Sequence, residues 1–472
     1  MPRIHLECPS SDKFIAGFAR IREQFQVPVS FSPAVTTAAE EAATAPFGAD
    51  RTDLRDVPLV AIDPVGSRDL DQAFHAKRRG SGYRVHYAIA DVGHFVAPGG
   101  PIDAEARARG LTFYSPDRKD SLHPGVLNED AASLLPGADR PALMWTIDLD
   151  QQSRIQDARI ERALVRCRAA RSYRDVQRDL EGASPDHVHQ LLREIGILRE
   201  AEEVNRGGVS LNLPGQEVVE VEDHYELHYR TSRPVEGWNA QISLLTGMAA
   251  ARIMLAGGVG LLRVLPPPDA GTLRWLQRSS RALGVPYADN AAYGDWVRSL
   301  DTTRPHEAAL LTRAARAFRG AGYVGFDGES PESPTHAAIA SPYAHVTAPL
   351  RRLIDRFGNE IVLALCAGRR PPSWVLEALD EIPDVMSGTA RHEKQFEKAL
   401  VDFAEAMVLS NHIGEHFTAV ATDAQKGRVT LQLRERAVIT RIKSDVPSLG
   451  DVVEVRLSAV DPGERRVVFE LV

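Results

Sequence analysis

Three acids within nine positions, Asp63, Asp69 and Asp71, are the residues of this chain best suited to chemistry. A fourth, Asp91, follows a second apolar run. Aspartate carboxylates are hard oxygen donors, the kind that Mg²⁺ or Mn²⁺ takes. Divalent ions held this way clamp the attacking and leaving oxygens of a phosphodiester during hydrolysis. Asp-Pro and Gly-Ser are also turn formers, so each Asp alone reads equally as punctuation. The grouping beside apolar strands favours the chemical reading.

Such acids need rigid elements behind them. Leu59–Ile62 predicts a buried strand ending at Asp63, after which Pro64 and Gly66 turn the chain. Asp69 and Asp71 open the next element, and a strand over Tyr83–Ala90 ends at Asp91. A third strand is expected over Ala142–Asp148 and a helix over Ile102–Arg109. Farther on, apolar residues at three- and four-residue spacing predict helices over Asp186–Asn205, Ala240–Leu255, Ala270–Leu283, Ala292–Leu300, His306–Arg319, Leu350–Cys366 and Ala390–Glu415. Gly208–Leu213, Val218–Val221 and Tyr225–Tyr229 read as strands or a hairpin. Arginines at 159, 162, 166, 168, 171, 174 and 178 read either as a solvated face balanced by Glu161, Asp175 and Asp179 or as the rim of a nucleic-acid channel.

The ends differ from the middle. Residues 1–54 form a small helical region whose first helix carries Phe14, Phe18 and Ile21 on one face; it reads as a packing arm or as part of a helix-turn-helix. Residues 415–472 switch to β: Ala419–Ala421, Arg428–Leu433, Ala437–Lys443, Val452–Val460 and Arg466–Leu471, with turns between them.

With 472 residues, the chain has length for two or three domains. Its 43% hydrophobic and 25% charged content is that of an ordinary soluble globular protein. A net charge of −8 argues mildly against nucleic acid, although a local basic channel escapes that argument. Cys8, Cys167 and Cys366 lie far apart, so the expectation is reduced thiols and a cytoplasmic protein without a zinc site. The N-terminus lacks a secretory pattern. The most apolar window, Gly247–Leu262, holds Arg252 and four glycines and is expected to fall short of a membrane span.

The phrases IDPVGSRDLDQAF, IADVGHFV, EARARGLTFY and SLHPGVLNEDAASLLPGADRPAL, followed by PTHAAIASPYAHVTAPLRRLIDR, resemble in order and spacing the catalytic domain of the ribonuclease II family. The resemblance covers roughly residues 55–410 and implies an α+β, RNB-type catalytic domain over 55–414. The LGDVVEVRLSAVD phrase resembles the C-terminal OB-fold β-barrel that closes such proteins. The implied activity is processive 3′→5′ hydrolysis of single-stranded RNA to 5′-nucleoside monophosphates with Mg²⁺ or Mn²⁺, by a monomer with no membrane partner. The implied metal ligands are Asp63, Asp69 and Asp71, with Gln72 standing where most relatives have a fourth acid. Asp71 matches the most sensitive acid, and Arg351 an arginine facing the scissile phosphate. Arg352 is expected at the RNA backbone, Tyr114 as a stacking platform for the 3′ end, and Glu393 in the wall of the same cavity. His336 and His345 belong to the second signature and read equally as structural histidines. Gln72, Ala240 and Gln241, all neutral where relatives carry acids, keep open a non-hydrolytic RNA-binding protein. A DNA-directed nuclease is a third reading.

Overall fold

The computed structural model describes residues 6–7, 11–48, 50–210, 215–221, 224–230, 232–287, 292–301, 304–315, 318, 320–425, 427–434, 438–444 and 446–472. The centre is a twisted, largely antiparallel sheet. Its strands are β1 (Val60–Asp63), β2 (Gln72–Arg79), β3 (Gly82–Ala90), β4 (Asp139–Leu149), β5 (Ile155–Arg166) and β6 (Ala169–Ser172). They lie in the order β6-β1-β2-β3-β4-β5, with the short strand Thr52–Asp53 at the far edge. β6 runs parallel to β1, and β1 through β5 pair antiparallel.

Period-2 alternation divides the residues of this sheet between two cores. Val60, Ile62, Phe74, Tyr87, Trp145 and Ile147 enter one, where helices cover them. Leu59, Ala61, Ala73, Ala88, Ala90 and Ala163 enter the other, a face of small side chains. Because both faces are covered, β4 reads as an almost continuous apolar run.

Helix α1 (Asp12–Gln24) and helix α2 (Pro33–Ala43) lie on the body as packing arms. Val35 and Ala39 of α2 join the small-residue core. Phe14, Phe18 and Ile21 of α1 join a separate core with Phe396 and Phe403. The large-residue face is covered by α3 (His187–Asn205), α4 (Pro234–Gly257) and α5 (Leu353–Cys366). Helix α6 (Glu381–Leu409) then runs to the C-terminal unit. The N-cap of α3 is Asp186, whose side chain accepts from Val188 N at 2.8 Å.

The C-terminal strands are β7 (His416–Gln425), β8 (Arg428–Leu433), β9 (Ile439–Lys443), β10 (Val452–Asp461) and β11 (Arg466–Leu471). They form a five-stranded near-barrel in the order β9-β8-β7-β10-β11. The α+β class and the C-terminal OB-type unit are thus as the sequence implies.

Several expectations are corrected. The sequence reading missed β2, β5 and β6. In β5, Ile160 enters one core and Ala163 and Val165 the other, with charged residues between them, so the segment reads as an arginine face. Helix α6 begins at Glu381, not Ala390, because Pro383 sits in its first turn, where no intrahelical N–H is required. Helix α5 begins at Leu353, since the preceding residues form a loop. The helices expected over 270–283, 292–300 and 306–319 are found at Ala270–Ala282, Tyr293–Arg298 and Pro305–Ala315. No strand runs over residues 208–210, and the rest of the expected Gly208–Leu213 strand lies outside the described residues, as does Ala437. Helix α4 is long and apolar enough to cross a membrane by length and composition, contrary to the expectation for this region, though 56% of its apolar window is buried inside the protein.

Candidate active site

The acids gather where β1 ends and β2 begins. Gly66, at φ +81°, supplies a turn that residues with a Cβ rarely adopt. Leu70 is buried; its N–H donates to Ser133 Oγ at 2.9 Å and its carbonyl accepts from Leu134 N at 3.0 Å. This clip fixes the segment that carries Asp69 and Asp71. The carbonyl of Asp71 accepts from Ala90 N at 2.9 Å, which ties the acid to the end of β3.

Asp71 is buried, and both of its carboxylate oxygens are engaged. Oδ1 accepts from Leu350 N at 2.8 Å and Oδ2 from Arg351 Nε at 3.0 Å. Among the described residues Arg351 hydrogen-bonds only through Nε, so its two Nη groups remain for a ligand. Asp69 forms an ion pair with Lys119 at 2.6 Å and accepts from the Tyr114 hydroxyl at 3.5 Å. Lys119 also pairs with Glu129 at 2.9 Å. Half-buried Asp63 lies in the field of Arg351, Asp71 and Asp69.

Burial pushes the Asp63 carboxyl up to about 7; Arg351 opposes this, while Asp71 and Asp69 add to it. Burial likewise pushes Asp71 up to about 7, against the pull of Arg351 and the Leu350 N–H. For Arg351, burial works against the charge, but Asp71, Tyr114 and Asp63 more than offset it, so the guanidinium remains cationic. Asp63, Asp69, Asp71, Tyr114 and Arg351 therefore share one site.

The loop that presents Arg351 is held by Asp355, which is fully buried. Asp355 Oδ1 accepts from Ala348 N at 2.6 Å, and Arg352 donates to both carboxylate oxygens, at 2.9 and 2.8 Å. From the other side, Thr112 N donates to Arg351 O at 3.1 Å and Leu353 N to Gly110 O at 3.0 Å. Arg352 thus builds the loop through this bidentate pair. Gln72 is engaged through both amide atoms. Its amide donates to the Thr347 carbonyl, and its Oε1 accepts from the Tyr87 hydroxyl at 2.8 Å. A cation at Gln72 would compete with Tyr87 for that oxygen.

Tyr323 lies in the field of Glu393, on α6. Tyr323 stacks under Arg263 at 4.3 Å, and its hydroxyl lies 2.9 Å from His345 Nδ1. Burial holds His345 well below its ordinary value and His336 down to about 4, which keeps both neutral. Asp91 is a structural acid, paired with Arg51 at 2.8 Å and Arg162 at 3.4 Å. In the arginine run, Arg162 also pairs with Glu360, Arg166 with Asp139 and Arg168 with Asp186. These pairings favour the balanced face over a channel rim. Gln241 is buried and donates to Glu203 at 2.6 Å.

Lys119, Thr347 and Asp355 were missed from the sequence. Only Asp355 had a local signal, since it follows Arg352 at the i, i+3 spacing of a helical ion pair.

The donor chemistry, three oxygen acids of which two are pushed toward protonation, suits a hard divalent ion. As arranged, Lys119 and Arg351 balance the acids, and among the described residues no group of three or more His, Cys, Asp or Glu side chains stands close enough to hold a metal.

Residues 51–366 match the RNB domain, and residues 415–472 match the RNase II-type exonuclease C-terminal S1 domain. Ribonuclease R of Escherichia coli (strain K12) is 25% identical, over 90% of this chain and 58% of that protein. Ribonuclease R of Aquifex aeolicus is 26% identical, over 89% of this chain and 65% of that protein. The chain thus spans under two thirds of the length of these relatives. Among solved structures, Mycoplasma genitalium RNase R in complex with ribose methylated single-stranded RNA superposes with a TM-score of 0.86 at 20% identity, covering 98% of this chain and 78% of that one. Yeast Ssd1, described as a pseudonuclease, superposes with a TM-score of 0.71 at 17% identity, covering 98% and 58%.

Proposed function

This chain belongs to the RNB-domain family, and from that premise we propose that it is a metal-dependent 3′→5′ exoribonuclease that releases 5′-nucleoside monophosphates processively from single-stranded RNA. The observation that carries the reading is the Arg351 guanidinium, fixed by Asp71 through Nε while both Nη groups stay open beside three acids. A guanidinium held this way donates a fork of hydrogen bonds to phosphate oxygens and stabilises charge that develops on them.

Asp63, Asp69 and Asp71 would hold Mg²⁺ or Mn²⁺, which supplies Lewis-acid stabilisation of the phosphate when bound. Lys119 gives Asp69 a partner in the absence of the ion. Tyr114, its hydroxyl tethered to Asp69, offers its ring to the terminal base, a contact of about 1–3 kcal/mol that reads no sequence. The C-terminal near-barrel gives RNA a second platform. A monomer in a reducing cytoplasm fits the cysteine usage.

A second reading is a non-hydrolytic RNA-binding protein. Its support is that every acid but Asp63 already has a basic partner and that Gln72 adds no charge. End-labelled RNA and DNA oligomers, incubated with Mg²⁺, Mn²⁺ or EDTA, separate the readings. The nuclease shortens RNA from its 3′ end only with metal. RNA that binds but stays intact under all three conditions establishes the second reading, and DNA cleaved as fast as RNA removes the substrate assignment.

A further inference from the structure

An arginine-lined cavity of about 370 Å³ opens between the C-terminal halves of α3 and α4 and the turn joining β4 to β5. It lies apart from the acids. Tyr83, at one end of β3, pairs with Leu149 beside this turn, and Ile89, near the other end, pairs with Gln72 beside Asp71. Roughly 20 Å of strand separates the two places.

Arg199 is 3% exposed. One of its Nη groups donates to the Ser153 carbonyl at 2.9 Å, the other lies 4.0 Å from the Met248 sulfur, and its buried Nε has no partner. Arg206 donates from Nε to the Ile339 carbonyl at 2.8 Å, while both of its Nη groups are buried without a partner. Arg154 pairs with Asp150 at 3.1 Å, and exposed Arg252 makes no ion pair among the described residues. On the acidic side, Glu202 lines the cavity, and Glu203 is taken up by Gln241. The C-terminus of α3 adds partial negative charge, yet none of its carbonyls receives the three orphan N–H groups. Burial pushes Arg199 down to about 10, with Arg206 adding to the effect and Glu202 and Glu203 only partly opposing it.

Buried guanidinium N–H groups without acceptors are costly, and four arginines lining the cavity beside a single glutamate, Glu202, leave it a surplus of positive charge. A tetrahedral oxyanion supplies several acceptors and the missing negative charge at once, and a guanidinium fork matches its geometry. The volume falls in the range of small-ligand sites, about 300–1,000 Å³. We propose that this cavity is a second phosphate-binding site, remote from the acids, taking either a backbone phosphate of RNA or the phosphate of a free mononucleotide.

The test uses the full chain in EDTA, with inorganic phosphate and AMP titrated by calorimetry and a short RNA by fluorescence anisotropy. Parent, Arg252→Glu, Arg206→Met and Arg351→Ala proteins are compared, with melting curves to confirm that each folds. Phosphate affinity should fall roughly tenfold in Arg252→Glu and Arg206→Met and persist in Arg351→Ala. AMP binding that Arg252→Glu weakens, with RNA affinity unchanged, identifies the free nucleotide as occupant. RNA affinity that falls about tenfold in Arg252→Glu, with no AMP binding, identifies the backbone. The proposal is overturned if no anion binds the parent, if phosphate binding disappears only in Arg351→Ala, or if all four proteins bind alike. Because Arg252 is exposed on its helix, its variant keeps the test decisive should Arg206→Met fail to fold.

Discussion

The two ends of β3 resolve charge in opposite ways. At the acid end, Asp71 rests on Arg351 and Asp69 on Lys119, so a ligand must compete with partners already in place. At the arginine end, buried N–H groups stand without acceptors. On the nuclease reading proposed above, the acid end exchanges one set of contacts for another, as turnover requires. The arginine end gains contacts outright when filled, as simple binding does. Substitutions that alter one end and spare the other test that division.

The largest effect is expected for Asp71→Asn. It should reduce RNA hydrolysis by about 10²–10³-fold or more while RNA affinity stays within a few-fold, because affinity comes mostly from distributed phosphate contacts. Single-turnover rates at saturating Mg²⁺ decide it; a rate near the parent's removes Asp71 from the chemistry. Next comes Asp355→Ala, which leaves Arg352 unpaired in a buried loop. Breaking such a pair costs about 3–5 kcal/mol, so urea unfolding should show a loss of that order. An unchanged midpoint would mean that the loop is held from the Thr112 side alone.

Arg351→Lys keeps the charge but loses the fork, and should slow hydrolysis at least about tenfold with little change in binding. If binding weakens and turnover is spared, Arg351 is an anchor and the contrast between the two ends collapses. Gln72→Asp removes the donor to Thr347 and adds a charge beside Asp71, so the metal-free protein should lose about 1–3 kcal/mol by chemical denaturation in EDTA. Equal stability would show that the amide contacts contribute nothing.

A further effect is on pH dependence. Asp63 and Asp71 titrate near 7 in the folded protein against 3.8 for the free side chain. Between these values the folded state holds more protons than the unfolded state. Metal-free stability should thus decline as pH rises from about 4 to about 7 and level off above. Melting curves in EDTA across that range measure it, and a rise with pH would reverse the assignment.

How much of this was legible depends on where each signal lies. The turn at Asp63, the acid spacing and the apolar runs of β1, β3 and β4 are local, and they led directly to the acid end. The partners of those acids are not local. Lys119 reaches Asp69 from a hairpin, and Thr347 meets Gln72 across most of the chain, so neither has a periodicity or motif to announce it. The arginine cavity was hidden for the same reason: Arg154, the pair Arg199 and Arg206, and Arg252 sit on three separate segments, each unremarkable alone. β5 was lost because its charged residues obscure the alternation that marks a strand.

The contact between the first and last helices has a consequence for how the protein is made. The rings of Phe14 and Phe18 meet Phe403 edge-on, at 5.9 and 5.5 Å, and a Cβ on Gly17 would collide with that same ring. Around them the barrel residues Phe417, Leu431 and Leu457 close one shared core. Helix α1 is therefore synthesised long before the surface it covers exists. During translation its phenylalanines lack their partner ring, and they dock only when the α6 segment has left the ribosome, so a segment made early waits for one made late.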